Sequence, residues 1–314
     1  MIYSFLARRL LATLPVLLIV AMLVFLMLRL TPGDPAAILA GDSADPQQIA
    51  HIRASLGLDR PLPVQFGIWL GKLLGGDLGE SFYYKTPVSS LIGQRLEATL
   101  SLALITIAFA VAVAVPLGVL AAWRPGSGLD RVLMGLSVLG FSVPVFVLAY
   151  LLIWLVSVRL GWLPVQGYQP LADGVGPWLQ HLILPSLTLS VTYIALIARV
   201  TRAAVLDTVG VDYIRTAHAK GLPEATVLVR HALRNAAVPI VTVIGIGVAL
   251  LISGVVVTES IYAIPGLGRL TVDAVLARDF PTLQGLILLF SLSYVLVNLL
   301  VDLSYVLFDP RIRY

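Results

Sequence analysis

Cysteine is absent from this 314-residue chain. Its absence excludes disulfides, thiolate metal sites and a cysteine nucleophile together. Charge is scarce too: Asp, Glu, Lys and Arg are 12% of the residues, about half the ~25% of an ordinary soluble domain, while 59% are apolar. A soluble fold of this length has no means of hiding that much apolar surface, so lipid has to cover it. No Gly-x-x-x-x-Gly-Lys-Ser/Thr phosphate loop occurs, the nearest fragment being Gly71-Lys72-Leu73, and neither His-Glu-x-x-His nor Gly-x-Ser-x-Gly is present. The four histidines, His51, His181, His218 and His231, are scattered along the chain, so no metal cluster is expected. A net charge of +4 suits nucleic acid only when the cations cluster on one soluble face; here they flank apolar runs.

Those runs are what the chain has in place of charge. A bilayer core of roughly 30 Å needs about 20 apolar helical residues. Six stretches free of Asp, Glu, Lys and Arg approach or exceed that: Leu10–Leu28, Ala98–Trp123, Val132–Val158, Gly174–Ala198, Asn235–Thr258 and Phe280–Val301. Each is read as a span, the fourth entering the membrane near Leu182. The first has the basic start of a signal peptide, Arg8 and Arg9, but its uncharged stretch exceeds the usual core of about 7–15 residues. It is read as a retained helix. Pro116, Pro144 and Pro185 fall inside spans, where neighbouring helices satisfy the carbonyls they free.

Basic residues orient the spans. With the N-terminus inside, the cytoplasmic segments hold twelve basic and five acidic residues, a balance of +7, and the outer segments nine and eleven, a balance of −2. Arg8 and Arg9, the short turn from Arg124 to Arg131, and Arg311 and Arg313 weigh most. Both termini are therefore expected in the cytoplasm. Asp302 is the one acid deep in a span and is placed near its inner end.

Two long connections remain. Residues 31–97, expected outside, show helix punctuation: Asp45-Pro46 as N-cap and first position, Ile49, Ile52 and Leu56 at helical spacing, and Gly57 as the stop. A second helix is expected from Pro63 to Leu74, a turn at Gly75-Gly76-Asp77, and a third helix after Thr86-Pro87. The region reads equally as a lid on the spans or as a docking platform. Residues 204–234 are expected inside. Gly210-Val211-Asp212 offers a turn with Asp212 as N-cap, Tyr213 to Lys220 make two helical turns, and Gly221 suits a left-handed stop. Pro223 restarts a helix carrying Arg230, His231 and Arg234. A short basic helix with small Ala217 and Ala219 is suited to another protein's groove.

The run Asp212-Tyr-Ile-Arg-Thr-Ala-His-Ala-Lys-Gly-Leu-Pro, with His231-Ala-Leu-Arg-Asn-Ala following, resembles the "EAA" loop of ABC importer permeases, in particular the dipeptide, oligopeptide and nickel branch. Arg215-Thr216-Ala217 stands where the general pattern has Glu-Ala-Ala, Gly221 at its glycine and Leu233 at its leucine. Arg215, His231 and Arg234 replace its Glu, Ile and Pro, and His218 departs from the Arg of the peptide branch. Pro32-Gly33-Asp34-Pro35, Leu56-Gly57-Leu58-Asp59, Gly76-Asp77-Leu78-Gly79, Glu259 with Pro265-Gly266-Leu267-Gly268, and Asp309-Pro310-Arg311 extend the resemblance along the whole chain.

The resemblance implies an all-α polytopic membrane protein of the bacterial inner membrane, with six spans and the type I ABC importer permease fold. It implies three parts: residues 1–30 with the first span, a periplasmic helical insertion at 31–97, and a five-helix core at 98–314. Asp212, Tyr213, Arg215, Thr216, Ala217, Lys220, Gly221 and Leu233 would couple the chain to an ATPase. Glu259, Pro265 and Gly266 are candidates for an outer gate, although Glu259 also suits a cap on a short helix ahead of the Pro265-Gly266 turn. The implied function is ATP-driven import of di- or oligopeptides, or of a nickel chelate or glutathione. The chain would hold no cofactor and have no enzymatic activity, ATP and Mg being bound by two ATPase partners beside a second permease and a periplasmic binding protein. An ion-coupled secondary transporter is the alternative class, disfavoured by charge-poor spans and by halves that do not repeat.

Overall fold

The computed structural model describes residues 2–30, 36, 45–55 and 57–308. The sequence features at Pro32–Pro35, Leu56 and Asp309–Arg313 lie outside them. Among the described residues there is no strand, only an isolated antiparallel bridge between Glu80 and Pro87. Helix is what lipid requires, because a spanning segment must satisfy its backbone internally.

In chain order the helices are α1 (Ile2–Leu30), α2 (Pro46–Ser55), α3 (Leu62–Leu74), α4 (Val88–Trp123), α5 (Gly128–Ser142) and α6 (Val145–Leu152), the last continuing as a π-helical segment at Ile153–Arg159. After a short 3₁₀ turn at Leu171–Asp173 come α7 (Val175–Val209), α8 (Asp212–Ala219) and α9 (Glu224–Thr226), which runs into a second π-helical segment at Val227–Leu233. Then follow α10 (Ala237–Gly254), α11 (Val256–Ile261), α12 (Leu267–Leu276) and α13 (Phe280–Phe308).

Among the described residues four helices, α1, α4, α7 and α13, are long and apolar enough to cross a bilayer. Two further pairs qualify only as bent spans: α5 with α6, at 101°, and the α9 segment with α10, at 63°. The third span expected over Val132–Val158 is thus broken at Pro144. Pro144, extended at ψ 137°, caps α6, and Val143 before it is extended at ψ 120°. Proline lacks an N–H and pushes its predecessor out of the helical region, so the chain turns there. Pro116 and Pro185, by contrast, lie inside unbroken helices. The third helix expected after Pro87 is the start of the 36-residue α4, not a separate element.

The chain divides into two compact units. The larger comprises Leu96–Arg269 and the described residues from Ser293 onward. Its main core gathers Leu102, Leu182, Leu189, Ile197, Leu251 and Ile264. Glycine sets the helix spacing within it: a Cβ at Gly118 would stand 2.6 Å from Thr201 Cβ, and one at Gly245 would overlap Val301. These are close approaches of α4 to α7 and of α10 to α13, made by small residues where lipid offers no hydrophobic drive to association. Glu97 accepts from the Tyr168 hydroxyl at 3.0 Å and the Leu171 N–H at 2.9 Å, tying the 160–174 connection to α4.

The second unit comprises Tyr3–Arg95 and Leu270–Leu292. The helix stops fall where expected: Gly57 at φ +64° ends α2, and Gly76 at φ +81° turns the chain after α3. Asp279 is fully buried and accepts from the Ser81 hydroxyl at 2.5 Å, the Phe82 N–H at 2.9 Å and the Thr282 hydroxyl at 2.7 Å. Two of the three donors lie in the 77–87 loop and tie it to Asp279.

Candidate functional site

The loop over residues 204–234 is a built object. Helix α8 begins after Val211, which is extended and makes no side-chain cap. Asp212 is therefore the first helical residue and not the N-cap expected of it. Its carboxylate accepts from Arg215 Nη1 at 3.3 Å, with both side chains more than three-quarters exposed. Such a pair contributes about 0–1 kcal/mol.

The C-terminus is firmer. Gly221 sits at φ +74°, its N–H donating to the His218 carbonyl at 2.9 Å and the Leu222 N–H to the Ala217 carbonyl at 3.3 Å. Those two bonds form a Schellman motif, in which a left-handed glycine lets the chain turn back on the last helical carbonyls.

Two residues of α8 face inward. Ile214 is 1% and Ala217 6% exposed, packed among Val205, Val227, Leu228 and Ala232. Leu233 is half-buried against the same cluster. Tyr213, Arg215, Thr216, Ala219 and Lys220 are exposed. Ala217, one of the residues expected to couple the chain, is buried: its small side chain lets α8 settle on its own chain, while Arg215 and Lys220 stay exposed.

Sequence reasoning missed the ion pair that holds the helix leading into α8. Arg202 in α7 donates from Nε at 2.5 Å and from Nη2 at 2.7 Å to the two oxygens of Asp130, whose side chain is 5% exposed. Asp130 also accepts from the Gly126 N–H at 2.8 Å, and its own N–H donates to Ser127 at 3.3 Å. The fork geometry fixes direction as well as distance. The local half was legible, since Ser127-x-x-Asp130 is a capping signature. The partner is 72 residues away and was not.

At the other candidate, Glu259 in α11 is fully buried. Its carboxylate accepts from the Thr99 hydroxyl at 2.6 Å and the Arg269 N–H at 2.9 Å, and Thr99 in turn accepts from the Leu267 N–H at 2.8 Å. Glu259, itself in the first turn of the short helix α11, thus also serves the first turn of the helix after Pro265-Gly266. A negative group belongs at that N-terminus, where orphan N–H groups gather. Gly266 and Gly268 make room: a Cβ at the first would overlap the carboxylate, and one at the second would stand 2.8 Å from Val256 Cα.

Comparison with known proteins agrees along the length of the chain. Residues 114–314 match the family of binding-protein-dependent transport system inner membrane components, and residues 1–103 match its N-terminal companion. A Sinorhizobium fredii protein named "Probable peptide ABC transporter permease protein" is 53% identical over 310 residues, covering 99% of each chain. A glutathione transport system permease of Pectobacterium atrosepticum is 47% identical, again over 99% of each. Among solved structures, a chain of the MetNI methionine ABC transporter in inward-facing conformations superposes with a TM-score of 0.59 at 19% identity, covering 70% of this chain and 97% of that one. Likeness at that identity speaks for the fold alone. With helices long enough to span the membrane and matches over both halves, the chain belongs to the binding-protein-dependent family of ABC importer inner-membrane permeases.

Proposed function

We propose that this chain, paired with a second homologous permease, lines the pathway by which di- and oligopeptides, or glutathione-like peptides, enter the cell. A periplasmic binding protein delivers the substrate, and two ATPase subunits holding ATP and Mg drive the cycle. The observation that carries the reading is the anchored coupling helix: Ile214 and Ala217 fasten α8 to its own chain, leaving Arg215, Thr216 and Lys220 on an exposed basic face. An ATPase groove gripping that face would move the helix and the segment at Val227–Leu233 as one body. The names of the relatives support the peptide class. At the other end, Glu259, Pro265 and Gly266 shape an outer gate by holding the turn that starts α12. Residues 31–97 form a periplasmic insertion, residues 98–314 the core, and both termini face the cytoplasm.

Function is tested by uptake of a radiolabelled dipeptide in cells carrying the intact transporter or lacking this chain. Uptake should vanish without the chain and return with the plasmid-borne copy. Undiminished uptake without it would assign peptide import elsewhere. Orientation is tested separately, and a chain without cysteine needs no background removed. Cysteine at Tyr83 should react with an impermeant maleimide in intact cells, and cysteine at Glu224 only after lysis; both positions are exposed. Labelling of both in intact cells would refute the orientation.

A further inference from the structure

The second unit holds a cavity of about 500 Å³ at the end of α1. Its charged lining is unbalanced, with Arg29, Arg60, Lys72 and Lys85 against Asp77 and Glu80. Asp77 already accepts from the Gly79 N–H at 2.9 Å. The decisive group is Arg29, which is half-buried. Its Nε donates to Gln65 Oε1 at 2.8 Å and its Nη1 to the Phe25 carbonyl at 3.0 Å, and its guanidinium lies 3.5 Å from the Phe25 ring centre. Gln65 is buried, and its amide nitrogen donates to the Leu58 and Arg60 carbonyls at 3.2 and 2.7 Å. That commitment turns a neutral oxygen toward Arg29. Among the described residues Arg29 has no carboxylate partner, and three of its five N–H donors have no acceptor. A half-buried cation in that condition is a receptor for an anion.

The surroundings say which anion. Leu28, Ile68 and Trp69 give the cavity an apolar wall. Helix α3 exposes Leu62, Val64, Ile68 and Leu74, the last at 81%. A tryptophan, an arginine at the end of a span and an apolar surface helix together mark a membrane–water boundary. An inorganic anion would satisfy Arg29 but leave the apolar wall wet, whereas a lipid covers both. We propose that this cavity binds the phosphate of a membrane phospholipid headgroup, with Arg29 as the half-buried donor, Arg60, Lys72 and Lys85 around the opening, and the lipid's glycerol and acyl carbons against Ile68 and Trp69. A volume of this size suits one headgroup.

The test is native mass spectrometry of the full-length chain, delipidated in detergent and titrated with dioleoyl phosphatidylglycerol. The wild type should retain one tightly held lipid. Arg29→Gln should weaken that lipid about tenfold, the loss of one charge-assisted contact. The Lys72→Gln/Lys85→Gln double variant, altered only at exposed side chains, should weaken it a few-fold and keep wild-type helical circular dichroism. Equal retention by the wild type and the double variant overturns the proposal even if Arg29→Gln fails to fold. Displacement of the lipid by equimolar inorganic phosphate would assign the cavity to a free anion and overturn it equally.

Discussion

Gly221→Val is expected to abolish uptake while the protein still inserts in the membrane. Apart from Gly221's own atoms and its two chain neighbours, no heavy atom lies within 4 Å of the position a Cβ would take there, so the substitution meets no packed neighbour. The conflict is in the backbone, held at φ +74°. An L-residue there costs roughly 1–2 kcal/mol, and a β-branched one more. Relief comes from abandoning the left-handed turn, which releases the Ala217 and His218 carbonyls and unwinds the end of α8. Gly221→Asn, which tolerates the left-handed region, should retain most of the uptake. Ala217→Asp should also fail, by forcing an unpaired charge into the cluster around Val227 and Ala232. Arg215→Glu should cost least, because its ion pair is solvated. The measurements are dipeptide uptake in cells and co-purification of the ATPase subunits. Wild-type values in both for Gly221→Val would reduce the loop to a positively charged connector.

Glu259→Ala should cost both stability and transport. Truncation leaves the Thr99 hydroxyl and the Arg269 N–H without their buried acceptor, at roughly 1–3 kcal/mol for each orphaned group. Glu259→Gln keeps one acceptor oxygen but turns an amide nitrogen toward a donor, so an intermediate loss is expected. Gly266→Ala attacks the same contact from the opposite side, because its methyl group would overlap the Glu259 carboxylate. Thermal unfolding in detergent should rank wild type above Glu259→Gln, and Glu259→Gln above Glu259→Ala. Uptake should follow the same order. Wild-type thermal stability for Glu259→Ala would remove Glu259 from any role in holding the Pro265-Gly266 turn.

Much of this protein was legible before its structure. Long uncharged runs declare spans because lipid tolerates little else, and Gly57, Gly76 and Gly221 declare stops because a left-handed backbone nearly demands glycine. The 204–234 loop was readable for the same reason, its punctuation being local: Pro223 opens a helix and Gly221 closes one within a few residues of the groups that decide it.

What sequence reasoning missed depends on residues far apart along the chain. Pro144 reads in the sequence as a proline tolerated within one span, and the 101° break there is seen only in the structure. Asp130 and Arg202, Glu259 and Thr99, and Asp279 and Ser81 are separated by 72, 160 and 198 residues. A carboxylate in the sequence reads as a loop charge until the fold brings donors to it. Which face of α8 is buried was likewise undecided, since Ala217 and Ala219 are equally small and equally acceptable on either side. The sequence alone determined the helix stops at Gly57, Gly76 and Gly221, because capping and turning act on neighbouring residues. Only the tertiary structure decided which side chains meet, because a buried charge is tolerable only where distant donors converge on it.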